Sequence, residues 1–310
     1  MIVTVTANPA LDVTYDLTSV RIHDGNQVTA VHEQAGGKGV NVARMLHGLG
    51  CPTTAVLPLS GRNGTAISND LKRCGIPYLA VPVHGSQSRR TVALADRQDV
   101  TLFSEPGPRY NRGVWNRLRK TVSETLPKAD VLVLAGSLPA GGPTDFYASL
   151  IRLARDGGVP VILDTRGPAL VAALGERPTI VKPNATELAE AASVTDPRAG
   201  AQALRAAGAR SVVASLGPDG LLALTPDGSW RARLNPLGRV RGNATGAGDA
   251  VVTALALALR SRASWPVALT KAVALSAAAV RAPVAGRFDS AAYLAYLDNV
   301  HVTALTPSPG

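Results

Sequence analysis

A glycine-rich turn in the last third of the chain carries the residues best suited to chemistry. It runs Gly242-Asn243-Ala244-Thr245-Gly246-Ala247-Gly248-Asp249-Ala250 and leads into an apolar segment that predicts a buried helix. Backbone N–H groups in the first turn of a helix lack intrahelical partners and carry partial positive charge, so this turn could bind an anion. Asp249 could accept a proton from a hydroxyl there. A simpler interpretation is that Thr245 caps the helix and Asp249 complements its dipole.

A second glycine-rich turn, Ala35-Gly36-Gly37-Lys38-Gly39-Val40-Asn41, also opens a predicted helix. Lys38 supplies a cation, and Asn41 supplies a donor and an acceptor, so a phosphorylated or polyhydroxy ligand could bind here. The turn is not a Walker loop, because the pattern G-x-x-x-x-G-K-[ST] is absent from the chain. A tight turn with close helix–strand packing is an equally good interpretation.

Polar turns also follow predicted strands. Asn8 and Asp12 come after the first strand and should lie at the carboxyl edge of a sheet, where α/β proteins bind ligands. Arg89 and Arg90 begin a later β-rich segment and could bind a phosphate, although a solvated arginine pair is the commoner outcome.

Two further turns have both a structural and a functional interpretation. Lys182-Pro183-Asn184-Ala185-Thr186-Glu187 ends a strand; Asn184 and Glu187 fit a helix capping box, or would lie near a magnesium hydration shell. Ser215-Leu216-Gly217-Pro218-Asp219-Gly220 is either a nucleotide-binding turn or a plain hairpin turn.

The elements that must position these turns alternate between strand and helix. Short continuous apolar runs such as Val131–Ala135 are typical of strands buried on both faces, so the chain predicts a doubly wound α/β fold with a mainly parallel sheet and helices on both faces. Residues 1–310 are predicted to form one domain. Two β-rich segments, approximately 13–34 and 89–104, predict a small antiparallel sheet that acts as a lid.

Composition excludes several classes of protein. The balance of 46% hydrophobic and 17% charged residues is that of a globular chain, and no apolar run approaches the ~20 residues of a bilayer-spanning helix. We expect no signal peptide and no membrane partner. The only cysteines, Cys51 and Cys74, exclude a disulfide scaffold and fit a cytoplasmic location.

The net charge of +10 does not predict a nucleic-acid partner. It comes from 26 arginines and six lysines scattered without a basic block, and aromatic residues make up only 4% of the chain. Such a balance also suits an enzyme that handles phosphate anions.

Several segments resemble the signature regions of the ribokinase-like (PfkB) carbohydrate kinases. They are GGKGVNVA, KPNATEL and NATGAGDA, with GSLPAG, SLGPDG and TANPALD in the expected order. The opening segments are most similar to those of the 1-phosphofructokinase and tagatose-6-phosphate kinase branch. The resemblance implies a ribokinase-like fold with a β-sheet lid and ATP- and Mg²⁺-dependent phosphorylation of a hexose phosphate: fructose 1-phosphate, fructose 6-phosphate or tagatose 6-phosphate.

The same resemblance implies roles for individual residues. Asp249 would be the catalytic base, and Gly246, Ala247 and Gly248 the anion hole. The residues implied for the sugar phosphate are Asp12, Gly37, Lys38, Asn41 and Arg89. Those implied for ATP are Lys182, Asn184, Ser215, Gly217 and Gly220, with Glu187 binding Mg²⁺ through water. A homodimer formed through the lid is also implied.

Four residues depart from the family pattern and leave the identity of the substrate open: Thr91, Leu102, Arg166 and Asn243. One alternative is therefore a kinase for an unphosphorylated sugar or a nucleoside. An alternative of another class is a non-catalytic sugar-phosphate sensor, which the intact turn from Gly246 to Asp249 disfavours.

Overall fold

The computed structural model describes residues 1–96, 100–235, 240 and 242–306. The strands are β1 Ile2–Val5, β2 Ala10–Leu17, β3 Val28–Gly36, β4 Thr53–Leu59, β5 Tyr78–Pro82, β6 Arg89–Ala95, β7 Val100–Ser104, β8 Val131–Ala135, β9 Val161–Asp164, β10 Ile180–Val181, β11 Ser211–Ser215, β12 Leu221–Thr225, β13 Gly228–Leu234 and β14 Val300–Ala304. The α-helices are α1 Lys38–Gly48, α2 Gly61–Arg73, α3 Arg112–Thr125, α4 Phe146–Asp156, α5 Pro168–Leu174, α6 Ala185–Ala192, α7 Pro197–Ala206, α8 Ala247–Ser261, α9 Trp265–Val280 and α10 Ser290–Leu297.

A large sheet of ten strands forms the centre of the molecule, in the order β14-β13-β12-β11-β10-β9-β8-β1-β4-β5. Pairing is parallel from β11 through β5, and antiparallel among β11, β12, β13 and β14. Every residue of β1, β8 and β9 is buried, because apolar helices cover both faces of the sheet. This architecture confirms the predicted fold class. Strands β13 and β14 extend it beyond the predicted alternation of strand and helix.

A second sheet has the order β3-β2-β6-β7. Its outer pairs, β2 with β3 and β6 with β7, are antiparallel, but β2 and β6 pair in parallel. The prediction of an antiparallel sheet was therefore wrong for the central pair. The reason is that β2 follows β1 and β6 follows β5, two parallel strands of the large sheet, so both leave its carboxyl edge in the same direction. Residues 97–99 of the predicted second lid segment lie outside the described residues.

The carboxyl ends of β10, β9, β8 and β1 are neighbours at one edge of the large sheet. Lys182 and Asp164 therefore lie close to the turns that follow β8 and β1, as expected for a crevice at the strand ends of an open α/β sheet. None of the described helices is long and apolar enough to cross a lipid bilayer.

Candidate active site

Asp249 lies in the first turn of α8 and is almost fully buried, with 5% of its surface exposed. Asn41 on α1 donates Nδ2 to Asp249 Oδ2 at 2.8 Å. Burial, together with the negative charge of Asp164, raises the pKa of Asp249 to about 7, although nearby lysines and the Asn41 amide oppose the rise. A carboxylate with this pKa can take up a proton near neutral pH.

The turn before Asp249 presents unpaired backbone donors. Gly246 has a φ of 89°, in the left-handed region that favours glycine, and packs against Ala285 and Gly286. Among the described residues, no acceptor bonds the N–H groups of Gly246 or Gly248. Lys182 adds a positive charge, since its Nζ lies 3.4 Å from where a β-carbon on Gly248 would stand. The turn has the groups that bind an anion.

Thr245 does not cap α8. The N-cap position is Gly246, and no side chain bonds the first turn there. The simpler interpretation of the sequence, in which Thr245 serves as the cap, is therefore wrong. The amides of Gly246 and Gly248 stay available for a ligand, whereas the Ala247 N–H donates to the Ala244 carbonyl at 3.1 Å.

The second glycine-rich turn brings Lys38 and Asn41 to the same place. Gly37 precedes α1 with a φ of 105°, and a side chain there would collide with Thr6, at 2.8 Å from its Cγ2. Asn41 reaches Asp249 through its amide nitrogen, while its Oδ1 is buried without a hydrogen-bond partner. A buried orphaned acceptor one turn into a helix is a position where a ligand hydroxyl could donate.

Two lysines bracket a buried carboxylate at the end of β9. Lys38 Nζ lies 2.7 Å from Asp164 Oδ1, and Lys182 Nζ lies 3.6 Å from Asp164 Oδ2. Burial alone would raise the pKa of Asp164, but the two ammonium groups outweigh it and lower the pKa below its usual value. Burial would likewise lower the pKa of Lys38, yet the neighbouring carboxylates hold it above its usual value.

Asp164 is the residue that reasoning from the sequence missed as part of the site. Its signal is positional, since it is an acidic residue that ends a wholly buried apolar strand. Asn8 gives a similar signal after β1: its Nδ2 lies 3.1 Å from the Pro106 carbonyl and 3.5 Å from Ser137 Oγ, so it joins two loops at this edge.

Asp12 on β2 and Arg89 on β6 lie beside each other in the small sheet. Arg89 donates Nε to the Asn8 carbonyl at 3.1 Å and Nη1 to Thr91 Oγ1 at 3.2 Å. Burial raises the pKa of Asp12 to about 6, against the opposing charge of Arg89 and a hydrogen bond with Thr91. A β-carbon on Gly36 would overlap the Asp12 carboxylate, so the carboxylate lies directly over β3.

Asn184 and Glu187 form the capping box that the sequence allows. Glu187 donates its N–H to Asn184 Oδ1 at 2.8 Å, and Asn184 donates its N–H to Glu187 Oε2 at 3.0 Å. The other oxygen, Glu187 Oε1, lies 3.6 Å from Lys38 Nζ. Glu187 therefore both caps α6 and adds a negative charge to the Lys38–Asp164 cluster.

Ser215 lies next to Asn184 through an isolated β-bridge. Beyond it, Gly217 and Gly220 belong to the turn that joins the antiparallel strands β11 and β12. Gly220 has a φ of 83°, and a β-carbon there would overlap the Ala232 carbonyl. This contact at Gly220 and the φ of 60° at Gly217 account for the two glycines as parts of a hairpin turn.

The family model of the pfkB carbohydrate kinases matches residues 6–290. This protein belongs to that family. Crystal structures of Escherichia coli phosphofructokinase-2 are similar to it: the complex with potassium has a TM-score of 0.88 and the complex with fructose-6-phosphate 0.86. In both comparisons the identity is 29%, and the alignment covers 96% of this chain and 98% of the other.

A Thermotoga maritima protein described as a possible 1-phosphofructokinase shares the fold, with a TM-score of 0.86. It is 23% identical over 98% of this chain and 99% of the other. The pfkB kinase described here is a phosphotransferase whose acceptor is an alcohol group.

Two departures from the family pattern have a structural explanation in this kinase. Asn243 accepts the Thr245 N–H at 2.9 Å and donates to the Pro283 carbonyl at 3.2 Å, so it ties the glycine-rich turn to the 283–286 segment. Thr91 links Arg89 to Asp12.

The other two departures are exposed. Arg166 follows β9 and lines a cavity of about 410 Å³ with Ser137 and Glu190. Leu102 lies on β7 opposite Ala93, with 49% of its surface exposed.

The carboxylates of this kinase suit a hard cation. Asp164 Oδ2 is buried without a hydrogen-bond partner, and Glu187 Oε1 lies 3.6 Å from Lys38 Nζ, which also contacts Asp164 Oδ1. No cluster of three or more His, Cys, Asp or Glu residues that could hold a metal occurs in the described part of the chain. The residues fit Mg²⁺ bound by one or two carboxylates, with the remaining ligands from water and phosphate.

Proposed function

We propose that this protein is an ATP-dependent kinase that phosphorylates a hydroxyl of a hexose phosphate. The observation that supports it most strongly is the pairing of Asp249, with its raised pKa, and the unpaired N–H groups of Gly246 and Gly248 in one turn. A base and an anion site in adjacent positions are what phosphoryl transfer to an alcohol requires.

In this proposal Asp249 accepts the proton of the attacking hydroxyl as its oxygen bonds to the γ-phosphorus of ATP and the bond from that phosphorus to the leaving ADP oxygen breaks. The N–H groups of Gly246 and Gly248 and the ammonium of Lys182 stabilise the negative charge on the transferred group. The Ala247 N–H donates to the Ala244 carbonyl at 3.1 Å, so it would have to leave that acceptor to join them. Asn41 orients the carboxylate by donating to Asp249 Oδ2. Asn184, Ser215, Gly217 and Gly220 serve the nucleotide.

Asp164 and Glu187 would hold Mg²⁺ partly through water, as Mg²⁺ prefers. When bound, the ion would neutralise phosphate charge. Lys38, which lies between these two carboxylates, keeps them close together.

The substrate's own phosphate is assigned to Arg89, and the residues assigned to the sugar hydroxyls are Asp12, Gly37, Lys38 and Asn41. Arg89 is held by Asn8 and Thr91, so its guanidinium is preorganised. The complex of Escherichia coli phosphofructokinase-2 with fructose-6-phosphate supports a phosphosugar for this chain. Fructose 1-phosphate, fructose 6-phosphate and tagatose 6-phosphate are the candidates.

Two measurements test the proposal. ADP release is measured against the three hexose phosphates and the free sugars, and we expect turnover with a hexose phosphate. In Asp249→Asn, turnover should fall by ~10²–10⁴-fold while the substrate still binds, because only proton transfer is lost. Binding without any ADP release in the parent protein would instead support the sensor alternative.

Arg89→Ala distinguishes a phosphosugar from an unphosphorylated substrate. Loss of hydrogen bonds to a charged group should raise the KM for the phosphosugar by a factor that corresponds to ~2–3 kcal/mol. The matched control is Arg90→Ala, because Arg90 is the next residue but is exposed and paired with Glu105 at 3.2 Å. A KM that is the same in both variants would favour an unphosphorylated sugar or nucleoside.

We also propose that the small sheet is a lid and that two copies of the chain associate through it. Val31 is 55% exposed and pairs with Tyr15, and Phe103 is 57% exposed and pairs with Val92. These side chains lie on the face of the small sheet opposite to Asp12. Exposed apolar patches of this kind commonly mark an interface. Analytical ultracentrifugation should show a dimer that Phe103→Glu weakens; a monomeric parent would contradict the proposal.

A further inference from the structure

Strand β3 lies at the edge of the small sheet, and two side chains close its outer edge at Ala35. The Ala35 N–H donates to Asp70 Oδ2 at 2.9 Å, and Arg44 donates Nη2 to the Ala35 carbonyl at 3.1 Å. Arg44 also donates to the same Asp70 oxygen at 2.6 Å. An ion pair thus bonds both backbone groups of Ala35 in the way that a further strand would.

Closing a strand edge with this ion pair costs free energy of desolvation. The side chains of Arg44 and Asp70 are each 7% exposed, so both charges have lost most of their water. Burial would raise the pKa of Asp70, but the Ala35 N–H and the Arg44 guanidinium lower it below its usual value. Apolar residues of similar volume often stabilise a fold at least as well as a buried ion pair, so a contribution to stability does not by itself account for this pair.

The residues on both sides of Ala35 lead to the proposed site. Gly36 follows Ala35, and the Asp12 carboxylate lies over the Gly36 backbone. Lys38 begins α1 two residues after Gly36. Gln34 precedes Ala35 and donates Nε2 to the Ala285 carbonyl at 2.8 Å.

The 285–286 segment makes the second connection. Arg44 Cδ lies 3.2 Å from where a β-carbon on Gly286 would stand, and Ala285 and Gly286 pack against Gly246. Arg44 therefore contacts the small sheet at Ala35 and also the segment behind the anion-binding turn.

We propose that Arg44 and Asp70 are positioning residues. They hold β3 in place at Ala35, so that Asp12 and Lys38 contact the sugar in the correct geometry. Neither side chain has to touch a substrate. The inference rests on the proposed function, and its competitor is an ion pair that serves stability alone.

The test compares Arg44→Met/Asp70→Leu with Arg73→Gln. The double variant removes the contacts to Ala35 without leaving one buried charge unpaired. Arg73→Gln is the matched control, because Arg73 is the exposed second partner of Asp70 and does not bond Ala35. If the double variant does not fold, Arg44→Lys replaces it, since lysine keeps the charge but lacks the planar guanidinium.

Amide hydrogen exchange at Ala35 is the first readout, and it does not depend on activity. We expect exchange to accelerate by about tenfold or more in the double variant, as for the loss of a hydrogen bond to a charged group. In Arg73→Gln the rate should stay within about twofold. Unchanged exchange in the double variant would overturn the proposal, even if the parent protein releases no ADP and the proposed function fails.

Steady-state kinetics is the second readout. We expect the KM for the phosphosugar to rise by about tenfold, because the double variant loses the bonds to Ala35. The KM for ATP should stay within about twofold, because methionine at position 44 keeps side-chain atoms as far as the δ position that packs near Gly286. Protonation of Asp12 should weaken binding of the phosphosugar at low pH, and the pH below which its KM rises should move upward in the double variant, because Arg44 lowers the pKa of Asp12. Equal changes in both KM values, or an unchanged phosphosugar KM, would show that the pair acts on stability alone.

Discussion

Asp164 and Asp249 lie in one site and are similarly withdrawn from solvent, at 1% and 5% exposure, yet their pKa values move in opposite directions. Asp164 ends a strand between the ammonium groups of Lys38 and Lys182, whereas Asp249 begins a helix and accepts a hydrogen bond from the neutral amide of Asn41. Burial is common to both, so the partners decide the sign of the shift. When the pKa values of two carboxylates in one site are moved apart in this way, the carboxylate with the raised pKa is the one suited to act as a base. Here that residue is Asp249.

The largest expected effect is on stability. Because folding raises the pKa of Asp249 from 3.8 to about 7, the folded state holds an extra proton between these values, and the stability contributed by this group falls as pH rises. Asp249→Asn should therefore raise the free energy of unfolding at pH 8 by up to ~4 kcal/mol. The gain should vanish towards pH 4. Urea unfolding between pH 4 and pH 8 measures the free energy of unfolding, with Asp156→Asn at an exposed position as the control. If Asp249→Asn were no more stable than the parent protein at pH 8, the raised pKa of Asp249 would be contradicted.

Asp164→Asn addresses the other carboxylate. It leaves Lys38 and Lys182 without their shared partner, and we expect kcat/KM to fall by ~10²-fold, as for loss of a positioned charge in phosphoryl transfer. The like charge beside Asp249 is also removed, so the pKa of Asp249 should fall and the acid limb of the kcat/KM profile should move below pH 7. An acid limb that stays in place or rises would show that the two carboxylates do not interact.

Asn41→Leu tests the neutral partner. The Asn41 amide lowers the pKa of Asp249, so its loss should raise the acid limb of kcat/KM further above pH 7, opposite to the effect of Asp164→Asn. The pH profile is the measurement, with Asn116→Leu as the control, since Asn116 is exposed on α3. If the acid limb moved in the same direction in Asn41→Leu and Asp164→Asn, the conclusion that Asn41 and Asp164 have opposite effects on the pKa of Asp249 would be wrong.

Thr91→Val is expected to have the smallest effect. It removes the hydroxyl that joins Arg89 and Asp12, and the KM for the phosphosugar should rise by a factor equivalent to ~1 kcal/mol. Thr91→Ser keeps the hydroxyl and should restore the parent KM. Failure of serine to restore it would assign the effect to packing rather than to the hydrogen bond.

Much of the local structure could be predicted from the sequence because its causes lie within a few residues. The continuous apolar runs at β8 and β9 specify strands buried on both faces. Asn184 and Glu187 specify a capping box through a spacing of three. Gly246 and Gly37 occupy left-handed conformations that other residues rarely adopt.

The tertiary structure decided what distant segments do to one another. Asn41 and Asp249 are 208 residues apart, and Lys38 and Asp164 are 126 apart, so no local pattern could place them in contact. The parallel pairing of β2 with β6 also arises from where both strands leave the large sheet. The sequence by itself determined the fold class and the residue types of the site. The pKa of each carboxylate depends on burial and on charges brought close by folding, and these are properties of the folded chain alone.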